Sequence, residues 1–241
     1  MDRVIINNVS KKFKIGTKKR QRTLFRLLSL ISGKEPRKEI DVLKNITLSL
    51  ESGKILGIIG KNGSGKSTLL RIIAGVYEAD SGKVTKQGNI ISLINLGAGM
   101  QERLSMFDNI YLCGSLFGLS RKEIKNRLNS ISKFAELEDH METKLYQFSE
   151  GMKQRLAFSI AMHCDPQILL LDEVFEIGDE SFKEKSVKKI KELVKMGLSV
   201  ILVTHDLETV KKYCNRVIWM RDGKIKQQGN PEEVIKSYLK S

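Results

Sequence analysis

The sequence predicts an α/β fold, a core of buried parallel strands alternating with helices and carrying a helical insertion at about residues 100–160. Three observations predict it. Ile55–Ile59 is a short apolar run that leads into a glycine-rich stretch, Gly60–Ser67 (GKNGSGKS), and then into the helix-like Ser67–Ala74. Ile168–Leu171 and Val200–Val203 are apolar runs of the kind found in parallel strands covered on both faces. Residues 107–135, 151–164 and 183–196 carry helical patterns.

In chain order, residues 3–9 and 43–50 read as strands. Between them lies an insertion at 16–40 containing Gly16, Gly33 and Pro36. Within it Leu24, Leu27, Leu28 and Ile31 fall at i, i+3, i+4 and i+7, one helix face, with Arg22 and Arg26 beside it. That periodicity suits a helix at a membrane surface, on a partner or packed on its own domain, and does not separate these. Residues 54–59 form the strand entering the glycine-rich stretch, and residues 82–96 hold short β-like runs around Gly82 and Gly88. In 107–135, Ser120 is a helix N-cap with Glu123 three residues on. A further helix is expected at 206–213 and a last one after Pro231.

The 241 residues carry a net charge of +14, unevenly placed: residues 11–38 hold eleven Lys/Arg and one acid, Glu35. Such a segment can meet nucleic acid, anionic lipid or an acidic partner. No run of 18 apolar residues exists, which excludes a transmembrane helix from the expected elements, and MDRVIINNVS lacks the apolar stretch of a signal peptide. A cytoplasmic setting is therefore expected. Cys113, Cys164 and Cys214 form no C-x-x-C and read as buried, reduced thiols. His140 and His163 read as structural.

The chemistry begins at Gly60–Ser67, which fits G-x-x-x-x-G-K-[ST]. Its glycines let backbone N–H groups turn inward around phosphate oxygens, and the following helix aims its positive end at them. Lys66 can reach the β- and γ-phosphates and the Ser67 hydroxyl can ligate Mg²⁺. The run at 168–171 ends in Asp172 and Glu173, acids at a strand's C-terminal end. Asp172 is suited to hold Mg²⁺, directly or through water, and Glu173 to polarise the attacking water. Val200–Val203 is followed by His205, again at a strand end and able to sense the γ-phosphate. Ser149 and Gly151 stand at the start of the 151–164 helix, 24 residues before Glu173 in the case of Ser149, and offer an anion-binding helix end.

With these residues in hand, the chain resembles the ATP-binding subunits of ABC transporters over nearly its whole length. Gly60, Lys61, Asn62, Gly63, Ser64, Gly65, Lys66, Ser67 and Thr68 resemble the Walker A loop. Phe148–Met152, FSEGM, is similar to the signature motif, with Ser149, Glu150, Gly151 and Met152 its parts. Ile168–Glu173 resembles Walker B with its catalytic glutamate, and His205 the switch histidine. Phe13 matches the aromatic that stacks on adenine. FSEGM, Leu96–Gly99, the 16–40 insertion, the tail around Gly223–Val234 and Glu173–Asp179 together resemble the branch that exports O-antigen polysaccharide and teichoic acid. In that branch Gly178 and Asp179 stand at the D-loop.

The resemblance implies a P-loop NTPase (RecA-like) core with a small antiparallel β subdomain and a helical subdomain, in a single ATP-binding domain over 1–241. The core with its β subdomain would take about 1–98 and 160–241, and the helical subdomain about 99–159. It implies ATP and Mg²⁺, and a homodimer whose Ser149 and Gly151 face the nucleotide on the other copy's Gly60–Thr68. An integral membrane permease would be the partner, on the cytoplasmic face of the cell membrane. The basic segment would meet anionic lipid or a lipid-linked glycan; nucleic acid is not expected. Two positions depart from the family. Leu96 falls where most relatives have a glutamine, Gln101 being out of frame, and Glu150 replaces a small neutral residue. Another transport substrate and, more remotely, a nucleic-acid-linked ABC ATPase are the alternatives.

Overall fold

The computed structural model describes residues 1–15, 38–94, 99–172 and 179–241. The helix expected around Leu24–Ile31, the positions Asn95–Ala98 and Glu173–Gly178 lie outside the described residues.

Two sheets organise the molecule. Strands β1 (Asp2–Ile15), β2 (Lys38–Glu51) and β4 (Ser81–Lys86) form an antiparallel sheet in the order β2-β1-β4. Strands β3 (Ile55–Ile59), β5 (Ile90–Leu93), β6 (Ile168–Asp172), β7 (Ser199–Val203), β8 (Arg216–Arg221) and β9 (Lys224–Gly229) form the second, in the order β5-β6-β7-β3-β8-β9. Neighbours from β5 to β8 are parallel, and β9 closes the edge as an antiparallel hairpin with β8.

The apolar runs of the central strands are buried from end to end because successive side chains feed opposite faces. Leu56, Ile58, Leu170, Ile201, Val203 and Ile218 turn to one face. There α1 (Lys66–Ala74) contributes Leu69, Leu70, Ile72 and Ile73, and the antiparallel sheet contributes Val4, Ile6, Val9, Leu43 and Ile46. Ile55, Ile59, Leu169, Leu171, Val200, Leu202 and Val217 turn to the other, which the other helices of the described residues cover. These are α2 (Met106–Leu116), α3 (Arg121–Ala135), α4 (Glu150–Met162), α5 (Glu180–Lys195), α6 (Leu207–Tyr213) and α7 (Pro231–Leu239).

The helical stretch expected at 107–135 is two helices, parted at Phe117–Ser120. Gly118 has a left-handed φ of 93°, and Ser120 opens α3 with a complete capping box: its hydroxyl accepts from Glu123 N–H, and the Glu123 carboxylate accepts from Ser120 N–H. Asn109, fully buried on α2, secures the entry. Its amide donates to the carbonyls of Gln101 (3.0 Å) and Ser105 (2.8 Å) and its Oδ1 accepts from Gln101 N–H (2.7 Å). Arg127 of α3 pairs with Asp165 (2.7 Å) and donates to the carbonyl of His163, tying the helical layer to the approach to β6. Among the described residues no helix is long and apolar enough to cross a membrane. The three cysteines are free thiols and buried, and burial pushes them up, to about 11 at Cys113 and about 12 at Cys164 and Cys214.

Candidate active site

The glycine-rich loop leaves β3 at the C-terminal end of the parallel strands and becomes the first turn of α1. Gly60, Gly63 and Gly65 take φ values of 149°, 78° and 103°, in the region glycine favours. A Cβ on Gly60 would stand 2.2 Å from the Met220 carbonyl, and one on Gly65 2.7 Å from Leu43 Cδ2. The loop's back is thus pressed on β8 and β2 while Lys61, Asn62 and Gly63 are exposed. Within α1 the first N–H to bond back is that of Leu69, to the Gly65 carbonyl at 2.9 Å, so the preceding amides face the loop. Lys66 is buried and curls over it, its Nζ donating to the carbonyls of Gly60 (2.7 Å) and Lys61 (3.1 Å). Ser67 and Thr68 are half-buried in the same turn, and the Ser64 hydroxyl is buried without a hydrogen-bond partner. A buried ammonium, helix-start amides and hydroxyls are a donor set that fits a polyanion.

Strand register builds the rest. Asp172 aligns with Val203, and Val203 with Ile58, so Asp172 stands on one row with the residue two before Gly60. Two strand spacings put that row about 10 Å across. Asp172 is half-buried, and with the Ser67 hydroxyl it supplies hard oxygen donors of the kind Mg²⁺ takes. His205, exposed, follows β7 on the same edge. Next to it the Thr204 hydroxyl accepts from Asp206 N–H (3.1 Å) and Asp206 caps α6, its carboxylate held below the usual range first by Thr209. Glu173 and Gly178 are outside the described residues; Asp179 is exposed and caps α5. Hydrogen bonds from Phe182 N–H (3.0 Å) and the Ser181 hydroxyl (2.8 Å) hold the Asp179 carboxyl low.

Phe13 is half-buried on β1, with the Tyr77 ring edge-on at 5.4 Å and Lys11 Nζ 5.5 Å from its centre. Asp80 fixes this corner: it accepts from Lys11 Nζ (2.7 Å) and Lys12 N–H (2.6 Å), and the Lys11 ammonium holds its carboxyl low. Neither Tyr77 nor Asp80 was legible beforehand, because what brings them to Phe13 is the pairing of β1 with β4.

Ser149, Glu150, Gly151 and Met152 stand at the start of α4, on the helical layer. Phe148 is buried against the His140 ring (5.9 Å) and anchors the turn, while Ser149 and Glu150 are exposed. The Ser149 hydroxyl accepts from Met152 N–H at 3.2 Å. Glu150, at the first helical position, sets a carboxylate where the helix end is positive. A Cβ on Gly151 would meet nothing nearer than 4.0 Å, so the helix end is open to an outside group.

A model of the ABC transporter family matches residues 43–176. The O-antigen export system ATP-binding protein RfbB of Myxococcus xanthus is 39% identical over 99% of this chain and 56% of its own length. The teichoic acids export ATP-binding protein TagH of Lactococcus lactis subsp. lactis is 41% identical over 87% of this chain and 45% of its own length. The chain thus spans about half the length of these two relatives. RfbB of Klebsiella pneumoniae is 36% identical over 81% of this chain and 80% of its own. Among solved structures, the ATP-binding subunit of an ABC transporter superposes with a TM-score of 0.78 at 22% identity, covering 98% of this chain and 93% of that one, a likeness of fold. A dimeric ATP-binding cassette in a post-hydrolysis state with ADP and Pi does so with 0.75 at 26% identity, covering 95% and 98%.

Proposed function

The chain belongs to the ABC transporter family, and on that premise we propose that it is the ATP-hydrolysing subunit of an exporter that moves a lipid-linked polysaccharide, of O-antigen or teichoic-acid type, across the cell membrane. The observation that carries ATP use is the single row formed by Asp172, Val203 and Ile58, which puts the acid, His205 and the glycine-rich loop on one edge of the sheet. The export systems named for the relatives support the cargo.

In this reading Phe13 stacks on adenine, and Gly60–Thr68 hold the phosphates through backbone amides and Lys66. Ser67 and Asp172 hold Mg²⁺, Asp172 through water; the ion offsets charge on the phosphate oxygens when bound. Glu173 orients and deprotonates the attacking water, and His205 fixes the γ-phosphate end. Ser149, Glu150, Gly151 and Met152 reach the nucleotide of a second copy, Glu150 turning its charge aside from the phosphates, and Gly178 and Asp179 line the contact between copies. The helical subdomain, at about 99–159, meets a membrane permease. The subunit sits peripherally on the cytoplasmic face of the membrane, and the 16–40 segment lies against anionic headgroups or the lipid-linked glycan.

Depleting the protein in its native cell and measuring membrane lipids by mass spectrometry tests the cargo. Accumulated lipid-linked glycan is expected; an unchanged glycan-lipid pool overturns the cargo and leaves an ABC ATPase for another substrate.

A further inference from the structure

The C-terminus of α3 carries a junction that none of these roles uses. Glu136 ends α3 in a left-handed conformation, φ 60°, with its backbone N–H turned to the Lys133 and Ser132 carbonyls. Its carboxylate binds two cations from two other helices. Arg155 Nη1, on α4, lies 3.2 Å from Oε2, and Lys185 Nζ, on α5, lies 2.9 Å from Oε1. An isolated exposed ion pair would count for little. Here Lys185 Nζ also sits 4.9 Å from the centre of the Phe134 ring, and Arg155 lies 5.8 Å from that of Phe182. Phe182 and Phe158 are fully buried and in edge contact at 6.2 Å, so both cations rest on a fixed aromatic floor.

The two helices joined in this way begin at the two places that matter most between copies. α4 starts at Ser149, with Arg155 less than two turns on; α5 starts behind its cap, Asp179. We propose that Glu136 is a positioning residue that locks α4 to α5, so that Ser149, facing the nucleotide of the second copy, and Asp179, which follows this chain's own Asp172–Gly178 stretch, move as one unit. This rests on the two-copy reading above. The arrangement makes the occupancy of one nucleotide site felt at the other through this helix junction, in which Glu136 adds a charged clamp to the Phe158–Phe182 contact, rather than through the sheet. The Arg155 charge reaches Asp179 as well, adding to the hydrogen bonds that hold that carboxyl low.

The test is steady-state ATP hydrolysis by the full chain across ATP concentrations, wild type first, with affinity for a fluorescent ATP analogue and melting temperature measured alongside. Glu136→Gln keeps size and removes charge. Lys185→Met keeps the stem over Phe134 and removes the ammonium that ties α5 to Glu136 and to the Lys133 carbonyl (3.5 Å), leaving the Arg155 pair in place. Each variant should lower kcat about five- to tenfold and bring the Hill coefficient toward 1, with analogue affinity unchanged within about twofold. The double variant should be no worse than either single one, as for groups acting through one link. Wild-type kcat and cooperativity in Lys185→Met overturn the proposal. So does a loss of rate matched by lost affinity or lost melting temperature, which is what a merely structural residue would give. A wild-type Hill coefficient of 1 overturns the two-copy reading, and this proposal with it.

Discussion

Lys66 is the residue whose surroundings say most about the site. A long side chain is buried with its charged end among loop carbonyls, an arrangement unfavourable for a bare ammonium and suited to one that shares an anion. Replacing it by Met keeps the packing and removes charge-assisted hydrogen bonds. The expected result is ATP affinity about 10- to 100-fold weaker at unchanged melting temperature, measured with a fluorescent ATP analogue. His163 shows the opposite relation between burial and charge. Its Nδ1 lies 2.7 Å from the Ser159 carbonyl, and burial holds its titration below the ordinary 6.5. The unfolded chain then takes up this proton more readily than the folded one. Stability from this group is complete above 6.5, falls as pH drops below it, and levels off once the folded form also protonates. Urea midpoints at about pH 7.5 and 5.5 should differ more for wild type than for His163→Gln.

At the scale of elements, β3 is the strand on which the loop depends, and one glycine sets how closely a helix covers it. A Cβ on Gly57 would stand 2.9 Å from Cys214 Sγ and 3.2 Å from Val210 Cγ1, so α6 packs directly on the strand. Gly57→Ala should cost about 1–3 kcal/mol by overpacking, seen as a lower urea midpoint, and Cys214→Ala in the same chain should recover part of it. Element boundaries were legible where local chemistry is decisive, as at Ser120 and Pro231. They were misjudged where pairing decides. β1 was expected at 3–9 but runs to Ile15, because Ser10–Ile15, polar and basic, continues its ladder with β2 and is pinned by Asp80. The two runs around Gly82 and Gly88 looked alike and belong to different sheets.

For the whole molecule, the proposed pair of facing copies would give the exposed Ser149 helix end a phosphate to meet. Glu173→Gln should bind ATP without turnover and, on adding ATP, double its mass in light scattering. Normal hydrolysis by the variant would remove Glu173 as the base, and a mass that stays single with ATP bound would remove the two-copy site. Leu104 and Tyr146 are exposed apolar side chains whose backbones are bound to one another's neighbourhood, Leu145 N–H to the Leu104 carbonyl and Tyr146 N–H to that of Glu102.

The sequence by itself determined the strand–loop–helix around Gly60–Ser67, Asp172 at the end of β6, the histidine after β7 and the Ser149 helix start. Each of these rests on neighbours in the chain, so glycine conformations, apolar runs and capping chemistry are enough to reveal it. Only the tertiary structure decided that Asp172, Val203 and Ile58 share a row, that Tyr77 and Asp80 frame Phe13, and that Glu136 binds both Arg155 and Lys185. Register across parallel strands and charge pairing between helices join segments far apart in the chain. They are selected by how two faces of one sheet are covered, and no local pattern of residues encodes that choice.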